Sequence, residues 1–368
     1  MTLHVQPTVP MRLVATSMAL PMDLAPTGQR GRELDNDAVH EAVLGPDWRA
    51  VKLARDTLGR SSRAGHAPPV VQRRQWVQGD ATAIELGVEA ARRALAAAGM
   101  SAGDLAALVC VSSTPPLISA AMAARIGVAL GCNETLCNAC CFDVRAGGVG
   151  VMLAWFTAQG LIAQGGGSVL IVAAETASVF MRPGDLGTAM LYADGAAACI
   201  LARDDDAVAA QTSGPERFGF LGGMSGQMRL PGLPTTIPGL LPPKGGVADV
   251  HAYRFQKPDR VHLQSLHALW GAFPKELAAA FPQACAALKH FLPYPISLEQ
   301  MTLAHEAMGQ PASALFHRLP ETGCLGAASP LASLHGLLQS GTARRGEVLA
   351  LASAAGNGLW AGLFWRLA

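Results

Sequence analysis

The sequence predicts an α/β protein with a largely parallel sheet covered on both faces. Three observations carry that class. Short apolar runs of strand length alternate with helical stretches. Half of the residues (50%) are hydrophobic and only 15% are charged, which leaves ample material for a core and excludes intrinsic disorder. Forty glycines and several alanine-rich segments permit close packing of elements. The 368 residues suffice for two domains of moderate size or one fused pair.

Residues 1–80 are irregular in composition, with Pro7, Pro10, Pro21 and Pro26 early and Pro68-Pro69 late. A helical stretch is expected around Asp37–Val43. The first firm element starts at Asp80, a good N-cap. It places Ile84, Val88, Ala91 and Leu95 on one face and stops at Gly99. Leu108–Val111 reads as a buried strand ending at Thr114-Pro115-Pro116. A helix over about Ser119–Leu130 stops at Gly131, and Cys141–Val144 is a short strand. The turn Gly147–Gly150 then leads into an apolar helix from Met152 to about Ala163. Val169–Ala173 and Ala196–Leu201 are further strands, and Asp204–Asp206 closes the first half. The proline- and glycine-rich stretch Gln211–Val247 reads as a long surface excursion or a substrate-facing loop. Beyond it, Val261–Phe273 and Lys275–Leu288 are helical by pattern. Met301–Ala304 reads as a strand ending at His305, Ala327–Leu338 as a helix and Val348–Ala352 as a strand. Ala90–Ser113 and Leu331–Ser353 share a rhythm of helix, turn and strand, a faint internal duplication. The halves are therefore divided as residues 1–206 and 207–368.

Charge and cysteine usage bound the partners. Twenty-eight basic residues against 27 acidic ones give a net charge of +1, and the pairs Arg73-Arg74, Arg92-Arg93 and Arg344-Arg345 are scattered. That argues against nucleic acid. No apolar run reaches the roughly 18–20 residues a membrane-spanning helix needs. The apolar patch Leu13–Leu20 lacks a basic n-region, so no secretory signal is expected. Eight clustered cysteines fit reduced thiols of a cytoplasmic protein. Cys132, Cys137 and Cys140 match the spacing of a plant-type iron–sulfur loop. Cys140-Cys141 nonetheless run straight into the strand Phe142–Val144, and the reading is no metal.

Taken in order, several blocks resemble the β-ketoacyl-ACP synthase III family. Phe142–Gly150 is similar to its nucleophile turn, and Gly187–Ala196 to its G-D-G-A turn. His305-Glu306-Ala307 is similar to its H-Q-A-N, and Gly323–Pro330 to its G-N-T-S-A-A-S. Arg345-Gly346-Glu347 and Gly356–Trp360 complete the match, which runs from about Asp80 to the C-terminus. The resemblance implies a thiolase-like fold, with two similar βα halves in a five-layer αβαβα sandwich, usually dimeric. It implies no cofactor: the substrates are acyl groups carried on CoA or on the phosphopantetheine of acyl carrier protein, in fatty-acid or polyketide-type metabolism. In that family a Cys at a helix start accepts the acyl group, its thiolate favoured by the helix dipole. A His and an Asn stabilise the carbanion left by decarboxylation.

The chain departs from this pattern. The family's Cys lies five residues after the strand Asp, and from Asp143 that position is Gly148. Cys324 stands for the family's Asn, so only His305 remains of the three. The span from His305 to Cys324 is also short for the family, as if one strand were missing. Three readings follow. Gly148 and Asn357 still bind the thioester oxyanion while His305 serves as base for direct acyl transfer to a hydroxyl or amine. Cys324 is a relocated nucleophile beside His305. Alternatively, the chain is a non-catalytic ketosynthase-like subunit that pairs with a Cys-containing paralogue. Asp194, in the Ala-Asp-Gly turn, is expected to hold loops near the site.

Overall fold

The computed structural model describes residues 2–26, 29–57, 70–117, 119–131, 139–205, 218–232 and 254–368. The strands are β1 (Thr2–Val5), β2 (Met11–Ala19), β3 (Gly31–Leu34), β4 (Arg74–Val77), β5 (Leu105–Val111) and β6 (Cys140–Val144), followed by β7 (Ser168–Thr176), β8 (Asp194–Arg203), β9 (Gly219–Gln227), β10 (Leu288–Pro293), β11 (Val348–Ala354) and β12 (Leu359–Arg366). The helices are α1 (Asn36–Leu44), α2 (Trp48–Thr57), α3 (Ala83–Ala98), α4 (Met122–Ala129), α5 (Gly150–Ala163) and α6 (Leu186–Leu191), then α7 (Arg260–Ala280), α8 (Pro282–Ala286), α9 (Leu298–Ala307), α10 (Leu319–Thr322) and α11 (Ser329–Gln339).

Two five-stranded sheets organise the molecule, ordered β2-β8-β7-β5-β6 and β1-β9-β12-β11-β10. In the first, β5 runs parallel to β6 and β7, while β7–β8 and β8–β2 are antiparallel. In the second, β10–β11 is parallel, and β11–β12 and β12–β9 are antiparallel. The series β5-β7-β8-β2 and β10-β11-β12-β9 thus repeat one pattern. The duplication is there, but β11 corresponds to β7. The expected pairing of Ala90–Ser113 with Leu331–Ser353 is therefore off by one strand, because both stretches share only a helix–turn–strand rhythm.

The layers follow from apolar content. Helices α5 and α11 are buried between the sheets and pack on residues of both, among them Val109, Ile171, Leu349 and Leu363. Such helices must be apolar nearly all round, which α5 is. Helices α3 and α4 cover the outer face of the first sheet, and α7 and α9 lie with the outer cluster of the second. This is the five-layer αβαβα arrangement. The division expected at 206/207 falls outside the described residues. The sheets part between Arg203 and Gly219, except that β1 crosses to the second sheet and pairs with β9.

Several expectations need correction. Helix α3 is capped by Thr82, in a capping box with Glu85, and not by Asp80; Gly99 does end it, left-handed at φ 64°. The irregular N-terminal region contains β2, a full member of the first sheet. The stretch read as a surface excursion contains β9; four glycines in GFLGGMSGQ hide a strand by composition. The rest of Gln211–Val247 lies largely outside the described residues. Helix α7 runs through Pro274 to Ala280, and Leu288 opens the strand β10, where a helix was expected. Met301–Ala304 is not a strand: it lies in α9, and His305 is in that helix's last turn.

Candidate active site

The turn after β6 fixes the start of α5. Asp143 accepts hydrogen bonds from the N–H groups of Met122 and Ala123 at 2.8 and 2.9 Å, tying the strand to the start of α4. Gly147 is left-handed at φ 57°, where a side chain would be strained. Gly148 is buried and is not left-handed, so space alone limits what can stand there. A Cβ on Gly148 would lie 2.6 and 2.7 Å from ring carbons Cδ2 and Cε2 of Tyr294, and 2.8 Å from Ser353 Oγ.

Tyr294 is the residue immediately after β10 and is 8% exposed. Its N–H donates to the Ala352 carbonyl at 2.8 Å, which extends the β10–β11 pairing by one rung. At the other end of the side chain, Oη lies 3.7 Å from Cys324 Sγ. Cys324 is fully buried. Its N–H donates to Leu191 O, and its own carbonyl accepts from Ala193 N–H. Burial pushes the Cys324 thiol up from its ordinary pKa, and burial beside Cys324 pushes the Tyr294 phenol well up. Both groups are neutral near pH 7.

Beneath them sits a buried carboxylate. Glu175 accepts from the backbone N–H groups of Ser113 and Thr114 at 2.9 Å and of Ala327 at 3.0 Å, so it joins the ends of β5 and β7 to the start of α11. Gly326 (φ 52°) passes so close that a Cβ there would come 2.9 Å from Glu175 Cγ. Asp194 accepts from Val77 N–H and Ser178 N–H, both at 2.8 Å, which holds β4 and the segment after β7 together. Burial, opposed by those donors, raises its pKa to about 6.

The residues singled out in the sequence do not all meet here. Gly148 and Cys324 both contact Tyr294. His305 does not supply a ring to Gly148. It is 6% exposed in α9, in the outer helical layer, with Nδ1 3.1 Å from the Gln310 carbonyl. A carbonyl only accepts, so Nδ1 carries the proton. Asn357 is exposed in the β11–β12 turn, where Oδ1 accepts from Leu359 N–H at 3.1 Å. Its carboxamide oxygen is engaged by that turn. Cys140 is exposed on the edge strand β6, while Cys132 and Cys137 lie outside the described residues. Among the described residues no group of three or more His, Cys, Asp or Glu could hold a metal ion.

Residues 142–214 match the family model described as 3-Oxoacyl-[acyl-carrier-protein (ACP)] synthase III. The β-ketoacyl-[acyl-carrier-protein] synthase III of Rhodobacter capsulatus is 39% identical over 132 residues, which is 36% of this chain and 40% of the relative. The protein of the same description from Pseudomonas aeruginosa (strain LESB58) is 29% identical over 327 residues, 88% of this chain and 91% of the relative. The crystal structure of 3-oxoacyl-(acyl carrier protein) synthase III from Pseudomonas aeruginosa PAO1 superposes with a TM-score of 0.73 at 21% identity, covering 97% of this chain and 98% of that one. The chain is similar to β-ketoacyl-ACP synthase III proteins and shares their fold. In this ketosynthase III-like chain, β10 ends beside Gly148, so the strand-end residue facing Gly148 is Tyr294. His305, expected at a strand end, lies in α9, and the residue beside Gly148 is Tyr294. The shortened span to Cys324 was the available signal. Counted from Tyr294, it lengthens by eleven residues and takes in α9. It also takes in Leu315, whose single parallel bridge to Phe291 stands where a third strand would lie.

Proposed function

We propose that this chain is a non-condensing ketosynthase III-like subunit. It forms no acyl-enzyme itself and assembles with a paralogue that retains the Cys, His and Asn, in acyl-CoA or acyl carrier protein chemistry of fatty-acid or polyketide type. One observation carries the reading: the ring of Tyr294 fills the space beside Gly148, the position the resemblance gives to the family's thiol. The three exchanged positions remove the nucleophile, the base and the carbanion stabiliser together. A phenol and a thiol, both neutral, supply none of these functions near pH 7.

Two further observations favour this reading over the other two. Direct acyl transfer needs a base within hydrogen-bond reach of the acceptor at Gly148, and the groups nearest Gly148 are Tyr294 and Ser353, while His305 sits in the last turn of α9. A relocated nucleophile at Cys324 needs thiolate character, which full burial opposes. The experiment is reconstitution. The chain is purified alone and together with a co-expressed ketosynthase III paralogue, and condensation of acyl-CoA with malonyl-acyl carrier protein is measured. Turnover is expected only with the paralogue present, and copurification of the two chains is expected with it. Turnover by the chain alone contradicts the reading.

A further inference from the structure

We propose that Tyr294, and not merely the missing thiol, keeps this site shut to acyl thioesters, and that position 148 is glycine because the tyrosine ring leaves room for nothing larger. This deepens the non-condensing reading and rests on it. Gly148 lies outside the left-handed region, so its backbone would accept any L-residue. What excludes a side chain is the ring, whose two nearest carbons would lie 2.6 and 2.7 Å from a Cβ. Ser353 Oγ at 2.8 Å is the lesser obstacle, because it has no hydrogen-bond partner and turns about one bond.

The ring itself is pinned. Its backbone is bonded to Ala352 O, and its hydroxyl meets Cys324 at the far end. The three exchanged positions thus form one connected set: Gly148 against ring carbons Cδ2 and Cε2, the phenol against Cys324. Restoring one member without the others produces a clash or leaves the cavity filled. Overpacked cores yield only at a cost in stability.

Two measurements test this. The first is a melting cycle on the full chain with Gly148→Ala, Tyr294→Ala and the pair. Gly148→Ala is expected to lower the melting temperature by several degrees in the native background and by much less beside Tyr294→Ala. Equal losses in both backgrounds overturn the proposal. The second is intact-mass spectrometry after incubation with acetyl-CoA or octanoyl-CoA. In Gly148→Cys/Tyr294→His/Cys324→Asn, the introduced sulfur would bond to the acyl carbon. The acyl bond to the CoA sulfur breaks, and CoA leaves as the thiol, taking the proton the attacking thiol gave up. The expected result is an acyl mass on this triple variant and none on Gly148→Cys alone. Equal acylation of both variants, or acylation of neither, overturns the proposal. Acyl mass on the native chain overturns instead the non-condensing reading, which the melting cycle does not depend on.

Discussion

The phenol of Tyr294 and the thiol of Cys324 face each other at 3.7 Å, both out of water. A thiol is a weak hydrogen-bonding group. Tyr294→Phe should therefore cost about 1 kcal/mol or less by urea denaturation, with the ring still filling the site; a loss of several kcal/mol would mean that the hydroxyl anchors more than Cys324. Asp194 makes a sharper prediction. Its carboxyl has a pKa of about 6 in the fold, against 3.8 ordinarily. Between those values the native state binds the proton more tightly than the unfolded chain does, so the group's contribution to stability falls as pH rises. The stability of the native chain relative to Asp194→Asn should accordingly decline from about pH 4 to about pH 6 and then level off. Urea midpoints for both proteins across that range check it, and a rising difference would contradict the assignment.

Helix α3 illustrates an element whose ends were written in the sequence. Its apolar face, its capping glycine and its S/T-x-x-E box are all local signals, even though the box places the start at Thr82 and not at Asp80. Thr82→Ala should cost about 1 kcal/mol in thermal or urea unfolding. A neutral result would show that packing alone holds the first turn. Strand β10 illustrates the opposite case. Its run LKHFLP follows a helix without a glycine or proline break, so the helical pattern appeared to continue to Leu288. That concealed the strand end at Tyr294. His305-Glu306-Ala307 then offered the right residue type in the wrong element, since a His near a helix C-terminus is equally well explained by capping. The turn from β6 into α5 was legible because strand, glycines and apolar helix follow one another within a short local stretch. The residue facing Gly148 was not, because that contact is made by packing between distant segments.

Across the whole molecule, the two sheets and the central helices α5 and α11 repeat one design around an approximate internal duplication. The site lies where the turns preceding those helices meet β11 and the end of β10. Among the described residues the two sheets, the buried helices and the buried acidic side chains Glu175 and Asp194 are all in place, and Gly148, Tyr294 and Cys324 meet at that junction. The proposed non-condensing role assigns this frame a place in an assembly in place of a reaction of its own. Intact-mass spectrometry of the native chain, after incubation with saturating acetyl-CoA and octanoyl-CoA, tests this most directly. An unshifted mass is predicted at every donor concentration; a stable acyl adduct on Cys324 or any other cysteine would contradict the account.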